Sequence, residues 1–144
     1  MKHLPKIKSV KSRNWSIEKL PGLSKQDQIK LIKYDINTTR KLLEITNTPQ
    51  KKLSLANQLQ IHTQYVNKWV ALADLARIPS VGCQYCGLLL HSGIASVSQL
   101  AQVPIHRLHQ QILKLQVSTM QRRDLCPGVE LVQKWVQQAQ VLSS

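Results

Sequence analysis

The chain has 144 residues, room for one domain or two very small ones, and no apolar run approaches the ~20 residues of a membrane span. Its hydrophobic fraction is 42% with no Phe and only 4% aromatics, so the core must be built from Leu, Ile, Val and Ala, a balance that favours helices over an all-β fold. The formal net charge of +13 calls for a polyanionic partner, nucleic acid or an acidic surface, beyond what solubility alone requires.

The charge is uneven. Residues 1–52 hold 13 of the 20 Lys/Arg and 4 of the 7 acids. Three Cys give no disulfide framework, and no apolar stretch of secretory length follows the basic N-terminus, so a reducing cytoplasm is the expected compartment.

Residues 1–15 carry Lys2, Lys6, Lys8, Lys11 and Arg13 without an acid and show no helical period. They read as a flexible basic arm able to lie along phosphates. From Ser16, Ile17 and Leu20 lead into a Pro21-Gly22-Leu23 turn. Ser24 is an N-cap with Asp27 three residues on, and the helix that follows places Ile29, Ile32 and Leu31 inward and Lys25, Lys30 and Lys33 outward. Asp35 ends that helix, Ile36 packs back, Thr38 caps a helix with Leu42, Leu43 and Ile45 on its inner face, and Pro49 opens another. In the helix from His62 to Ala76, Val66, Trp69, Val70 and Ala73 form one face.

The second half begins with Ile78 and Val81 bracketing a Pro-Ser-Val-Gly turn, with Gly82 entering a helix whose core face is Cys86, Leu89 and Leu90. Gly93 is a left-handed C-cap, with Ile94 packing after it. Ser96 caps the helix carrying Val97, Leu100 and Ala101, and Pro104 starts the next, through Leu108, Ile112 and Leu115. After a Pro127-Gly128 turn, the last helix aligns Val132, Trp135, Val136, Ala139 and Leu142.

The halves align on each other. Leu20-Pro21 matches Ile78-Pro79, Leu31 matches Leu89, Ile36 matches Ile94 and Thr38 matches Ser96. Further on, Val66-Asn67-Lys68-Trp69-Val70 matches Val132-Gln133-Lys134-Trp135-Val136, and the second half carries an insertion around Arg122 to Gly128. The expected fold is all-α: two tandem repeats, residues 16–76 and 71–144 with a shared linking helix, each a helix-hairpin-helix unit plus two supporting helices, packed as one body because so small a repeat cannot bury its own face.

The run from Trp69 to Gly82, with Tyr85, Gly93 and Ser96 to Ala101, resembles a bacterial and cyanobacterial family of unknown function that reads W-V-x-L-A-D-L-x-R-I-x-G-V-G. The likeness covers nearly the whole chain after the arm. It implies tandem helix-hairpin-helix units with no assigned chemistry. Each unit more distantly resembles hairpins of DNA repair proteins and ligases, and the stretch from Leu23 to Leu43 resembles the C-terminal domain of the bacterial RNA polymerase α subunit.

Such a hairpin binds phosphate through backbone N–H groups at a helix start, with nearby cations adding attraction but no sequence readout. By resemblance the phosphate-facing positions are Gly22, Leu23 and Ser24 with Lys25, and Ser80, Val81 and Gly82. Each hairpin departs from Gly-hydrophobic-Gly, through Ser24 in the first and Ser80 in the second. Lys19, Lys25, Lys30 and Arg40 charge the first, whereas only Arg77 adjoins the second. Cys83 and Cys86 form a C-x-x-C, short of the four ligands zinc takes, with Cys126, His91, His106 and His109 scattered elsewhere. Cys86 fits a small core slot better. Trp69 and Trp135 read as core. No carboxylate pair, nucleophile–base pattern or Walker loop is present, so no enzyme and no cofactor is expected. The expected function is sequence-nonspecific nucleic-acid binding, with DNA favoured over RNA by analogy. The alternative is a protein–protein adaptor in a larger assembly, its basic arm on an acidic protein.

Overall fold

The structure, a computed structural model, describes residues 9–119 and 126–143. Among these residues there are α-helices and no strand. Most of the basic segment expected to reach along phosphates (Lys2, Lys6 and Lys8) and residues 122–125 of the expected insertion lie outside the described residues.

A 3-10 turn, Ile17–Lys19, comes first, followed by α1 (Lys25–Lys33), α2 (Thr39–Ile45), α3 (Pro49–Leu59), α4 (Thr63–Ala76), α5 (Gly82–His91), α6 (Val97–Gln102), α7 (Ile105–Thr119) and α8 (Val129–Ser143). Local chemistry accounts for the boundaries. Ser24, Thr38, Thr48 and Ser96 each accept, on the side-chain oxygen, the N–H three residues on, at 3.0–3.2 Å, which satisfies an otherwise orphaned donor of the first turn. Pro49 fills the first position of α3, where its missing N–H costs nothing.

The helices α1 and α5 close in the same way, 58 positions apart. The Ile36 N–H donates to the Leu31 carbonyl at 2.9 Å, and the Ile94 N–H to the Leu89 carbonyl at 3.0 Å. The residue before each isoleucine is left-handed: Gly93 at φ 93° and Asp35 at φ 65°. Glycine adopts that conformation freely, whereas Asp35 carries a Cβ penalty. Asp35→Gly is therefore expected to raise the free energy of unfolding by about 0.5 kcal/mol, read as a shift of the urea midpoint at constant slope.

The core is one cluster drawn from both halves of the chain. Its largest fully buried side chains include Trp69 on α4 and Trp135 on α8, with Leu72, Leu75, Ile78, Leu89, Leu100 and Leu108. Helix α4 packs against α2, α3 and α5, and α8 packs against α6 and α7. No helix among the described residues is long and apolar enough to cross a membrane.

Two expectations are corrected. Ile29 and Ile32 do not face inward; they are 61% and 43% exposed, and Leu31 alone of α1 is buried. Once Leu31 points into the core, the 100° step of the helix carries residue 29 to the far side and residue 32 to the flank. The end of the basic arm is not loose either. Trp15 exchanges hydrogen bonds with Thr39, its indole N–H reaches the Ala76 carbonyl at 2.7 Å, and the Arg13 N–H reaches the Arg77 carbonyl at 2.8 Å. Residues 13–15 thus form a strap across the start of α2 and the end of α4.

Candidate nucleic-acid interface

The turn from Pro21 to Ser24 is held from behind. Ile17 and Leu20 are buried beneath it, and the Ile17 N–H donates to the Asn37 carbonyl at 2.9 Å. Pro21 lies against Gly87 of α5, with its Cγ 3.8 Å from where a Cβ on that glycine would stand. Leu23 is anchored inward at 8% exposure, whereas Gly22, Ser24 and Lys25 are exposed. Gly22 has φ 77°, the left-handed value that lets the turn present its backbone.

The N–H groups of Gly22, Leu23 and Ser24 donate to no group among the described residues. They precede α1, whose N-terminal dipole adds positive potential at the same place. Three cations adjoin the turn, two in sequence and one in space. Lys19 and Lys25 flank the turn in sequence and are exposed. Lys68, on α4, extends over Gly22, its Nζ 3.6 Å from where a Cβ would stand. Lys68 was not among the residues expected here. Its only sequence signal was its place beside Trp69 in the repeated V-x-K-W-V, which marks the helix but not the turn it reaches.

The remaining expected cations are not gathered at the turn. Arg40 sits at the strap, its backbone N–H on Asn14 Oδ1 at 3.0 Å and its guanidinium on the Ser12 carbonyl at 3.5 Å. Lys30 is half-buried within α1. Arg77 pairs through Nε with Asp74 Oδ1 at 2.8 Å, and Asp74 uses its other oxygen to accept the Val97 N–H at the start of α6. Both residues line an open groove of about 650 Å³ with Lys52 and Asn67. The guanidinium there is already paired with a carboxylate.

The second turn, with Ser80, Val81 and Gly82, has its backbone donors engaged within the protein. Gln138 of α8 accepts both the Ser80 N–H, at 2.9 Å, and the Ser80 hydroxyl, at 2.6 Å. Trp135 donates its indole N–H to the Ser80 carbonyl at 3.1 Å. The N–H groups of Val81 and Gly82 both go to the Ile78 carbonyl, and the Trp15 ring lies over Gly82, 3.1 Å from where a Cβ would stand. Every donor a phosphate would need is occupied within the protein. Gln138 gave no sign of this role beyond its position one turn after Trp135.

Cys83 and Cys86 are free thiols, and no group of three or more metal-ligating side chains occurs among the described residues. Burial raises the Cys83 pKa, against the opposing charge of Lys19. Burial pushes Cys86 up to about 12, with the neighbouring Cys83 charge adding to it and backbone hydrogen bonds opposing it. Neither is poised as a thiolate. This has a pH consequence. Below pH 9 Cys86 is protonated both folded and unfolded. Above it the unfolded thiol ionises while the folded one holds its proton to about 12, so stability falls across that window. Urea titrations at neutral and alkaline pH should show a smaller alkaline loss for Cys86→Ala than for the parent chain.

Residues 21–142 match the sequence model of a family described as a domain of unknown function, DUF4332, from the open turn through most of α8. No curated protein and no solved structure matches the chain.

Proposed function

The chain belongs to the DUF4332 family, and since that membership carries no chemistry its role rests on its own residues: we propose that it is a non-enzymatic protein that grips a nucleic-acid backbone without reading sequence. The observation that carries this reading is the open first turn. Three successive N–H groups without partners among the described residues stand at a helix start, with Lys68 beside Gly22 and Lys19 and Lys25 flanking the turn in sequence. That arrangement suits a phosphate oxygen, which accepts hydrogen bonds from the backbone and is held by the cations.

In this reading the first turn is a working helix-hairpin-helix and the second is a copy turned to structural use. The shared closing pattern of α1 and α5 supports descent from one repeat, and the Gln138 plug supports the loss of binding in the second. Residues 1–8, with three lysines, add attraction along the backbone. Duplex DNA is the proposed ligand by resemblance to repair-protein hairpins.

The test is anisotropy of labelled random-sequence duplex DNA titrated with the protein across a salt series. Binding that weakens linearly in log–log form supports the reading, with a slope of about −0.9 for each phosphate neutralised. Absent binding, or affinity indifferent to salt, removes it. A truncation should stop at residue 8, because Arg13 to Trp15 belong to the folded body.

A further inference from the structure

We infer that the outer face of α1 is a docking surface for an acidic amphipathic segment of a partner protein. Ile29 and Ile32 are the most conspicuous apolar groups left in solvent on this helix. They lie one turn apart on a common stripe. Lys25 stands one turn before Ile29 and Lys33 one turn after it, both exposed. Asp27, the one acid of α1, falls on the opposite side, toward Leu31. The stripe is apolar at its centre and positive at both ends.

A phosphate backbone gains little from branched aliphatic side chains, whereas a protein helix laid on them removes apolar surface from water. Charge decides the occupant. A second copy of this chain would bring a net charge of +13 and the same lysines to the interface, and its own residues 1–8 carry three lysines and no acid. Both are repelled. A segment with Leu, Ile or Val spaced three and four apart, flanked by Asp or Glu, matches the centre and the ends together. The phosphate-binding turn and this stripe share only Lys25, so the two activities are separable by substitution.

The probe is a fluorescein-labelled helical peptide of about 16 residues, with leucines on one face and glutamates flanking them. A control peptide of the same composition has its leucines scattered. The parent protein should bind the patterned peptide about tenfold more tightly than the control. Ile29→Ser combined with Ile32→Ser should abolish that preference while leaving the weak control binding, the thermal midpoint and the DNA salt slope unchanged. If the double variant is unfolded by circular dichroism, Ile29→Ser alone, at the more exposed position, replaces it and should lose part of the preference. Equal affinity for the two peptides, no binding of either, or a preference that survives the serines overturns the inference. None of these outcomes bears on DNA binding, which is read separately in the same preparations.

Discussion

Trp135→Ala is expected to lower the free energy of unfolding by about 3–5 kcal/mol, a large fraction of the roughly 5–15 kcal/mol that holds a domain folded. The indole is fully buried and does three things at once. It fills the space between α8 and the rest of the core, it meets the Tyr85 ring of α5 with centroids 5.1 Å apart, and it donates to the Ser80 carbonyl. Truncation leaves a cavity and an unpaired carbonyl together, and the two costs have the same sign. Trp135→Phe separates them. It keeps most of the ring and loses the donor, so a cost of about 1–2 kcal/mol is expected from the hydrogen bond. Urea unfolding of both variants checks the pair. A Trp135→Ala protein within about 0.5 kcal/mol of the parent, the size of a routine surface effect, would mean that α8 is not the element that seals the second turn.

What could be read from the sequence divides by range. The caps at Ser24, Thr38 and Ser96, the proline starts and the left-handed Gly93 are decided within four or five residues, and each stands where its local chemistry puts it. The all-helical class follows from the same signals. The features that separate the two turns are long-range. Gln138 reaches Ser80 across 58 residues, Trp15 reaches Ala76 across 61, and Lys68 folds over a glycine 46 positions earlier (68 against 22). A glutamine in a Gln-rich helix and a lysine on an exposed face look like solvated surface until the helices are assembled. The misplacement of Ile29 and Ile32 has a related cause. α1 buries one residue, and with three apolar candidates within four positions, periodicity alone does not choose between Leu31 and its neighbours.

Replacing Lys19, Lys25 and Lys68 together by Gln should weaken binding to random duplex DNA on the order of a hundredfold at 0.1 M salt and reduce the log–log salt slope by about 2 to 3. The magnitude follows from counterion release, roughly one released ion for each ammonium that meets a phosphate. All three side chains are exposed, so stability should move by no more than about 0.5 kcal/mol and the loss can be assigned to the interface. Lys68→Gln alone is the sharper member of the series. If the turn works through its backbone N–H groups, the lysine above Gly22 should cost as much as either sequence neighbour of the turn, although it belongs to a different helix. Lys134→Gln, at the equivalent position of the closed half, should cost far less, because no donors of the second turn remain beside it. Equal losses at Lys68 and Lys134 would point to net charge spread over the whole surface. A large loss at Lys68 and a small one at Lys134 would assign phosphate binding to the one turn that the fold leaves open.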